Sequence, residues 1–208
     1  MDSIESMRCA QMADAIADEV ELTPRLYDAF CEVPRGRFVG GRDPYSLAAH
    51  PIGGEQWISS PLTVAKMTLA LEAENCDNIL EIGCGSGYQA AILARLAHRI
   101  FSVERVENLA TSAKERLAAL GVRNVFVRYD DGNGGWRGYA PYDRILLSCA
   151  CESVPEGLFR QLKDGGILVA PVGNEHGQVI TKYVKNGENI SETRLDNCDF
   201  VPLLKGRA

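Results

Sequence analysis

The sequence predicts an α/β fold: a doubly wound, mainly parallel sheet of about seven strands with an N-terminal helical extension. Three observations predict it. From residue 78 onward, short runs rich in Ile, Val and Leu alternate with segments of helical period. A glycine-rich turn, Gly83-Cys84-Gly85-Ser86-Gly87, joins the first such run to the helix after it. The 208 residues are 46% hydrophobic and 24% charged, a globular composition at a length that suits one domain.

The elements follow in order. Met7, Ala10, Met12, Ala15, Ile16 and Val20 form a loose apolar stripe on a first helix. Thr23-Pro24 reads as an N-cap followed by proline at the first helical position, opening a helix through Leu26, Phe30 and Val33 that Pro34 and Gly36 end. Residues 36–56 carry Gly and Pro without a period and read as a loop or short irregular segment. Ser60-Pro61 repeats the capping signal and starts a helix to about Glu74.

Strand and helix then alternate. Strands are expected at 78–82, 99–104, 124–129, 142–148 and 167–172. Helices are expected after Gly87, over 106–120 with Gly121 as C-terminal cap, and over 155–162. Residues 178–184 and about 192–201, split by Lys185-Asn186-Gly187-Glu188, read as a closing antiparallel hairpin. The chain is read as one domain over 1–208, with a helical and loop cap over about 1–60 and a sheet core over about 76–208.

Charge and cysteine usage narrow the function classes. Lys and Arg number 22 against 28 Asp and Glu, a net charge of -6. That balance lacks the basic field on which phosphate-backbone affinity depends, so no nucleic-acid partner is expected. No run approaches the roughly 20 apolar residues needed to span a bilayer, so no membrane is expected either. The N-terminus has no secretory pattern. Seven irregularly spaced cysteines read as reduced thiols in a cytoplasmic protein. Only Cys149 and Cys151 lie close together, with no second pair, so no metal site is expected.

The chemical signal is Glu81-Ile82-Gly83-Cys84-Gly85-Ser86-Gly87, placed between a strand and a helix. Glycine there permits a tight turn and close approach of a ligand to the backbone. The spacing is G-x-G-x-G, without the third glycine of the dinucleotide fingerprint and without the lysine of a P-loop. Glu104 closes the next strand, where a doubly wound fold places the carboxylate that binds a ribose diol. An acid before the loop, Glu81, suits a cationic ligand and is ill suited to a pyrophosphate. S-adenosylmethionine carries an ammonium, a sulfonium and no phosphate, and it satisfies both features better than solvated strand-end charges beside a plain turn would. Tyr129-Asp130-Asp131-Gly132 is, by itself, an ordinary turn sequence.

Read together, these segments resemble the protein-L-isoaspartate O-methyltransferase family. The resemblance is carried by Val33-Pro34-Arg35, Pro51-Ile52-Gly53, Gln56-Trp57-Ile58-Ser59, Leu80-Glu81-Ile82 with the glycine loop and Tyr88-Gln89, and Ser102-Val103-Glu104-Arg105. It continues through Asp131-Gly132, Gly135-Trp136, Ala140-Pro141-Tyr142-Asp143, Pro171-Val172-Gly173 and Phe200-Val201-Pro202-Leu203, in unbroken order from about Pro24. The resemblance implies a Rossmann-like methyltransferase fold and methylation of the free α-carboxylate of L-isoaspartyl residues in damaged peptides, from S-adenosylmethionine. The product is S-adenosylhomocysteine, and the methyl ester closes to a succinimide. It implies Ser59 beside the acceptor carboxylate. It places the cofactor along Gly83, Gly85, Gly87, Glu104, Asp131 and Gly132, with Asp131 suited to the adenine amino group; Glu81, Cys84, Ser86 and Arg105 of the same segments complete the expected cofactor-binding set. A monomer acting on isoaspartyl peptides is expected.

Departures from the family pattern cluster on the substrate side. Where the family commonly has Gly-Gln-Thr-Ile-Ser, this chain has Glu55-Gln56-Trp57-Ile58-Ser59, so the indole either anchors core packing or narrows the peptide groove. Asp130 replaces a glycine before Asp131. Ser148-Cys149-Ala150-Cys151 replaces a Thr-Ala-Ala segment, and its thiols read as packing groups in preference to nucleophiles. The alternatives are a diverged enzyme that methylates another peptide carboxylate, or a module that binds S-adenosylmethionine without turnover.

Overall fold

The computed structural model describes residues 1–41 and 43–208. Among the described residues, nine strands fall into a central sheet of seven and a separate two-stranded ribbon. In chain order the elements are α1 (Ser3–Ala17), α2 (Pro24–Glu32), β1 (His50–Gly53), β2 (Gln56–Ile58), α3 (Pro61–Leu71), β3 (Asn78–Ile82), α4 (Tyr88–Leu96), β4 (Arg99–Glu104) and α5 (Glu107–Ala119). They continue with β5 (Val125–Tyr129), β6 (Tyr142–Leu147), α6 (Glu156–Phe159), β7 (Leu162–Asn174), β8 (Gly177–Asn186) and β9 (Asn189–Cys198).

The caps read from sequence hold. Thr23 accepts the Leu26 N–H and Ser60 accepts the Thr63 N–H, each with proline next; such a cap stabilises a helix by about 1 kcal/mol. At the end of α5, Gly121 (φ +71°) donates to Ala118 O, and Val122 donates to Leu117 O at 2.9 Å. These paired bonds satisfy the last carbonyls of the helix in a left-handed terminus that glycine adopts without a Cβ penalty.

The sheet runs in the order β5-β4-β3-β6-β7-β8-β9, parallel from β5 to β7 and antiparallel beyond. The strand order reverses between β3 and β6, and in open α/β sheets ligands bind outside the carboxyl ends of the strands at that reversal. The apolar residues of β3 and β4 are buried on both faces, as parallel strands require. Alternation sends Ile79 to the core under α1–α4, and Leu80 and Ile82 to the core around Phe101, Tyr142 and Leu168.

Several expectations are corrected. Residues 36–56 are not an unstructured loop: Arg35–Arg37 forms a 3₁₀ turn, and β1 pairs antiparallel with β2. The ribbon escaped detection because strands of four and three residues are too short to show a period. Proline in β1 is tolerated because this ribbon lies outside the main ladder. The helix expected over 155–162 is the single turn α6, and β7 begins at Leu162, taking in a register shift around Gly165-Gly166. Helix α3 stops at Leu71, where Glu72 turns left-handed. In α1, Met7 is exposed and Cys9 is buried, so the inward stripe is Cys9, Met12, Ala13 and Ile16.

Candidate functional site

A cleft of about 810 Å³, counting the part open to solvent, lies over the carboxyl ends of β3, β4 and β6. The glycine loop leaves β3 into the N-terminus of α4. Gly83 (φ +94°), Gly85 (φ +53°) and Gly87 (φ +92°) all take conformations that disfavour a side chain. A Cβ on Gly85 would also press on Ile52 of β1 at 3.4 Å, so the ribbon lies directly over the loop.

Glu104, at the end of β4, faces the cleft and is buried. One oxygen accepts the Gly85 N–H at 2.8 Å and the other accepts the Val106 N–H at 2.9 Å. A carboxylate offers about four lone-pair sites. Glu104 therefore pins the loop and keeps acceptor capacity for a diol. Gly83, Cys84, Gly85, Ser86, Arg105 and Gly132 line the same cleft. Gly87 lies just behind, against Ala113 and Leu117 of α5.

Glu81 is placed differently. It pairs in register with Ser102 on the neighbouring parallel strand, so both side chains leave the same face of the sheet. Its carboxyl is fully buried and accepts from the Ser102 hydroxyl and, at 3.4 Å, from Ser148 Oγ. Burial pushes its pKa up to about 8, against the two serine hydrogen bonds, which favour the charged form. The carboxyl sits behind the wall of the cleft, and Ser148 faces the opening in its place.

Asp131 is half-buried and tied to its own turn and to the C-terminal segment. Asn133 N donates to Oδ1 at 2.9 Å, and Gly206 N donates to Oδ2 at 2.8 Å. Burial raises its carboxyl, but these hydrogen bonds outweigh it and hold the group below the ordinary value. Only Gly132 of this turn reaches the cleft, and a Cβ there would stand 2.4 Å from Ile82 Cγ2. The close approach explains the glycine.

Ser59 and Ser60 are adjacent yet unequal. Ser60 Oγ is committed to α3, accepting from Thr63 N at 3.0 Å and pairing with Thr63 Oγ1 at 2.9 Å. Ser59 lines the cleft, and among the described residues its hydroxyl has no partner. The two thiols at the site, Cys84 and Cys149, are buried, and burial raises both well above the ordinary thiol value. They stay protonated, and a thiol in that state is a poor nucleophile.

Sequence reasoning missed two walls. The first is the C-terminal segment. Leu203 N donates to Ala150 O, Ala150 N donates to Val201 O, and Val201–Leu204 line the cleft. Beyond them, Arg105 Nε bonds Gly206 O at 3.1 Å, and Arg207 pairs with Asp130 at 2.9 Å. The ending Phe200-Val201-Pro202-Leu203 was visible as a family resemblance, but nothing in its spacing shows that it returns to the site. The second wall is the ribbon. It is backed by Arg35, a buried guanidinium that donates to Ala48 O at 3.1 Å and lies 5.1 Å from the centre of the Tyr88 ring. Neither α1 nor α2 lines the cleft: α1 packs on α2 and α3, and α2 on α4, while β2 of the ribbon faces the site. Among the described residues, no group of His, Cys, Asp and Glu has the arrangement to hold a metal ion.

The arrangement fits a nucleoside with a cationic tail. It offers a loop that admits close approach, a carboxylate with spare acceptor sites, and no lysine poised for phosphate.

Comparison with known proteins agrees. The family model described as protein-L-isoaspartate(D-aspartate) O-methyltransferase matches residues 8–208. A protein-L-isoaspartate O-methyltransferase of Helicobacter pylori (strain P12) is 44% identical over 207 residues, covering 98% of this chain and 99% of that protein. One from Maricaulis maris is 45% identical over 207 residues, covering 99% and 93%. Among solved structures, a Plasmodium falciparum protein described as a protein-L-isoaspartate O-methyltransferase in complex with S-adenosyl-L-homocysteine superposes with a TM-score of 0.83. That match is at 20% identity and covers 95% of this chain and 98% of the other.

Proposed function

The chain belongs to the protein-L-isoaspartate(D-aspartate) O-methyltransferase family, and from that premise we propose how its residues divide the reaction. The protein is an S-adenosylmethionine-dependent enzyme that methylates the free α-carboxylate of L-isoaspartyl residues in damaged peptides and proteins. Methylation starts repair, because the ester closes to a succinimide that reopens in part to aspartate. The observation that supports the division of roles is the convergence of Ser59, the glycine loop, Glu104 and Gly132 on one cleft.

Bound, S-adenosylmethionine supplies an electrophilic methyl group on a sulfonium. Glu104 would receive the ribose hydroxyls. Gly83, Cys84, Gly85 and Ser86 would provide the close backbone, with Gly87 turning the chain into α4. Gly132 and Arg105 would border the cofactor, and Asp131, which ties the turn to the C-terminal segment, would accept from the adenine amino group. Glu81 supports the loop from beneath through Ser102 and Ser148.

A carboxylic acid with a reference pKa of about 4 or below is already ionised at neutral pH, so the acceptor needs no general base. The protein contributes alignment and exclusion of water. Proximity and orientation alone are worth roughly 7–11 kcal/mol. Ser59 donates to one carboxylate oxygen and leaves the other to attack. The protonated thiols of Cys84 and Cys149 do not compete for the methyl.

We further infer a monomer at work in the cytoplasm, without nucleic acid or membrane. The net charge of -6 supports the absence of a nucleic-acid partner, and the seven unpaired cysteines support a reducing compartment. Among the described residues no helix is long and apolar enough to cross a membrane. Residues 1–208 act as one methyltransferase domain, with about 1–60 capping the core of about 76–208.

The test is transfer from methyl-labelled S-adenosylmethionine to a matched pair of peptides, one isoaspartyl and one aspartyl. Label on the isoaspartyl peptide alone, released as methanol in mild base, is expected. Equal labelling of both, or cofactor binding with no labelling, overturns the assignment.

A further inference from the structure

We propose that Trp57 is a specificity-determining residue that selects an apolar side chain beside the isoaspartyl group of the substrate. The inference rests on the reading of Ser59 as the acceptor contact.

The two tryptophans of the chain have opposite surroundings. Trp136 is half-buried and packs edge-on against Phe101 and Tyr139, with ring centres 5.7 and 5.4 Å away. Trp57 is 54% exposed. Among the described residues it makes no ring contact, no cation–π contact and no hydrogen bond through its indole. Its cross-strand neighbour is Pro51, itself exposed. It is therefore not a core anchor. The core contact of this strand is the next residue, Ile58, at 4% exposure.

Trp57 and Ser59 stand on either side of the buried Ile58, and in extended chain residues two apart lie about 6.8 Å from one another. Both line the cleft, together with Gln56 and Ile58. In an isoaspartyl residue the main chain continues through the side-chain carbonyl, so the α-carboxylate is a branch. A peptide whose branch reaches Ser59 carries its main chain past the mouth of the cleft. There the indole offers a large apolar surface at one stride from the reacting group. Leu204, 46% exposed, adds a second apolar side chain to the same lining. An exposed indole of this kind marks a contact surface, since its burial against apolar carbon is favourable and nothing in the chain supplies that burial.

The occupant that fits is an aliphatic or aromatic side chain adjacent to the isoaspartate. An anionic one would lose water against the indole without gaining a partner. Apolar pockets of this type discriminate by about 10–200-fold, and a half-open one belongs at the lower end.

The experiment measures kcat and KM for isoaspartyl peptides that carry Ala, Leu, Phe, Lys or Glu at the preceding or the following position. Wild type is expected to prefer Leu and Phe over Glu by about tenfold at one of the two positions, with the difference in KM. In Trp57→Ala the preference falls below about twofold, and in Trp57→Phe most of it returns. Calorimetric affinity for S-adenosylmethionine and the thermal midpoint of each variant establish that the cofactor site and fold are intact. A preference that survives in Trp57→Ala, or a wild type indifferent to both neighbours, overturns the inference while leaving the repair activity standing. If wild type methylates none of the isoaspartyl peptides, the reading of the activity itself has failed.

Discussion

The floor and the roof of the cleft are built on opposite principles. The floor is the glycine loop with the ends of β3 and β4. Its polar groups are buried and mutually committed: Glu104 binds two backbone amides, and Glu81 is held by Ser102 and Ser148. The roof is the β1–β2 ribbon with the C-terminal segment. Its functional groups are uncommitted, an unpartnered Ser59 hydroxyl and the exposed side chains of Trp57 and Leu204. A cofactor is one fixed molecule, and a preorganised polar floor holds it without rearrangement. Damaged peptides vary in sequence, and open apolar and hydroxyl groups on a short ribbon can meet many of them. The lesson is that constancy of the ligand is matched by satisfaction of the site.

If the two halves divide labour in this way, variants in one should spare the other. The largest effect is expected from Glu104→Gln. The amide loses the charge and turns an NH₂ toward a backbone N–H. Loss of charge-assisted hydrogen bonds worth about 1.5–3 kcal/mol should weaken S-adenosylmethionine binding by about 10–100-fold. Calorimetry reads this directly, and an unchanged dissociation constant would remove Glu104 from the floor.

Next comes Ser59→Ala. Loss of one hydrogen bond to a carboxylate should lower kcat/KM for an isoaspartyl peptide by about tenfold, with cofactor affinity within about twofold. If affinity for the cofactor drops instead, Ser59 belongs to the floor and the division is wrong.

A test that reads stability in place of binding sharpens the comparison through pH. The Glu81 carboxyl is raised from an ordinary 4.5 to about 8 by burial. A group that binds its proton more tightly when folded contributes stability that is complete below about pH 4.5 and is lost as pH rises to about 8. Glu81→Gln carries no such proton. Its stability relative to wild type should therefore rise across that window and level above it, as denaturant midpoints at a series of pH values would show. Parallel profiles would mean that Glu81 is ionised throughout.

The floor was legible in the sequence because its signals are local. Gly83, Gly85 and Gly87 lie within five residues, and Glu104 ends a strand whose period is visible. Even the capping of α3 by Ser60 was readable, since cap and proline are adjacent. Less was legible where a role depends on what a side chain meets. Glu81 is expected beside the cofactor, yet its carboxyl is fully buried against Ser102 and Ser148, and the half-buried Asp131 carboxyl bonds to Asn133 and Gly206. The ribbon was read as irregular because its pairing depends on a turn at Gly53-Gly54-Glu55, all three at positive φ. Glu55 in that conformation is not a signal that sequence offers.

By itself the sequence determined the alternation of strand and helix, the position and chemistry of the glycine loop, the acid that closes β4, and the resemblance that names the reaction. Tertiary structure alone decided that Trp57 and Ser59 line one cleft, that the ribbon and not α1 borders it, and that Val201–Leu204 return to form its wall. The physical reason is range. Helical period, capping and glycine turns are set by atoms a few residues apart and survive in any context. The roof is made by contacts such as Leu203 with Ala150 and Gly206 with Asp131, which exist only after the sheet has closed and brought distant segments within hydrogen-bond reach.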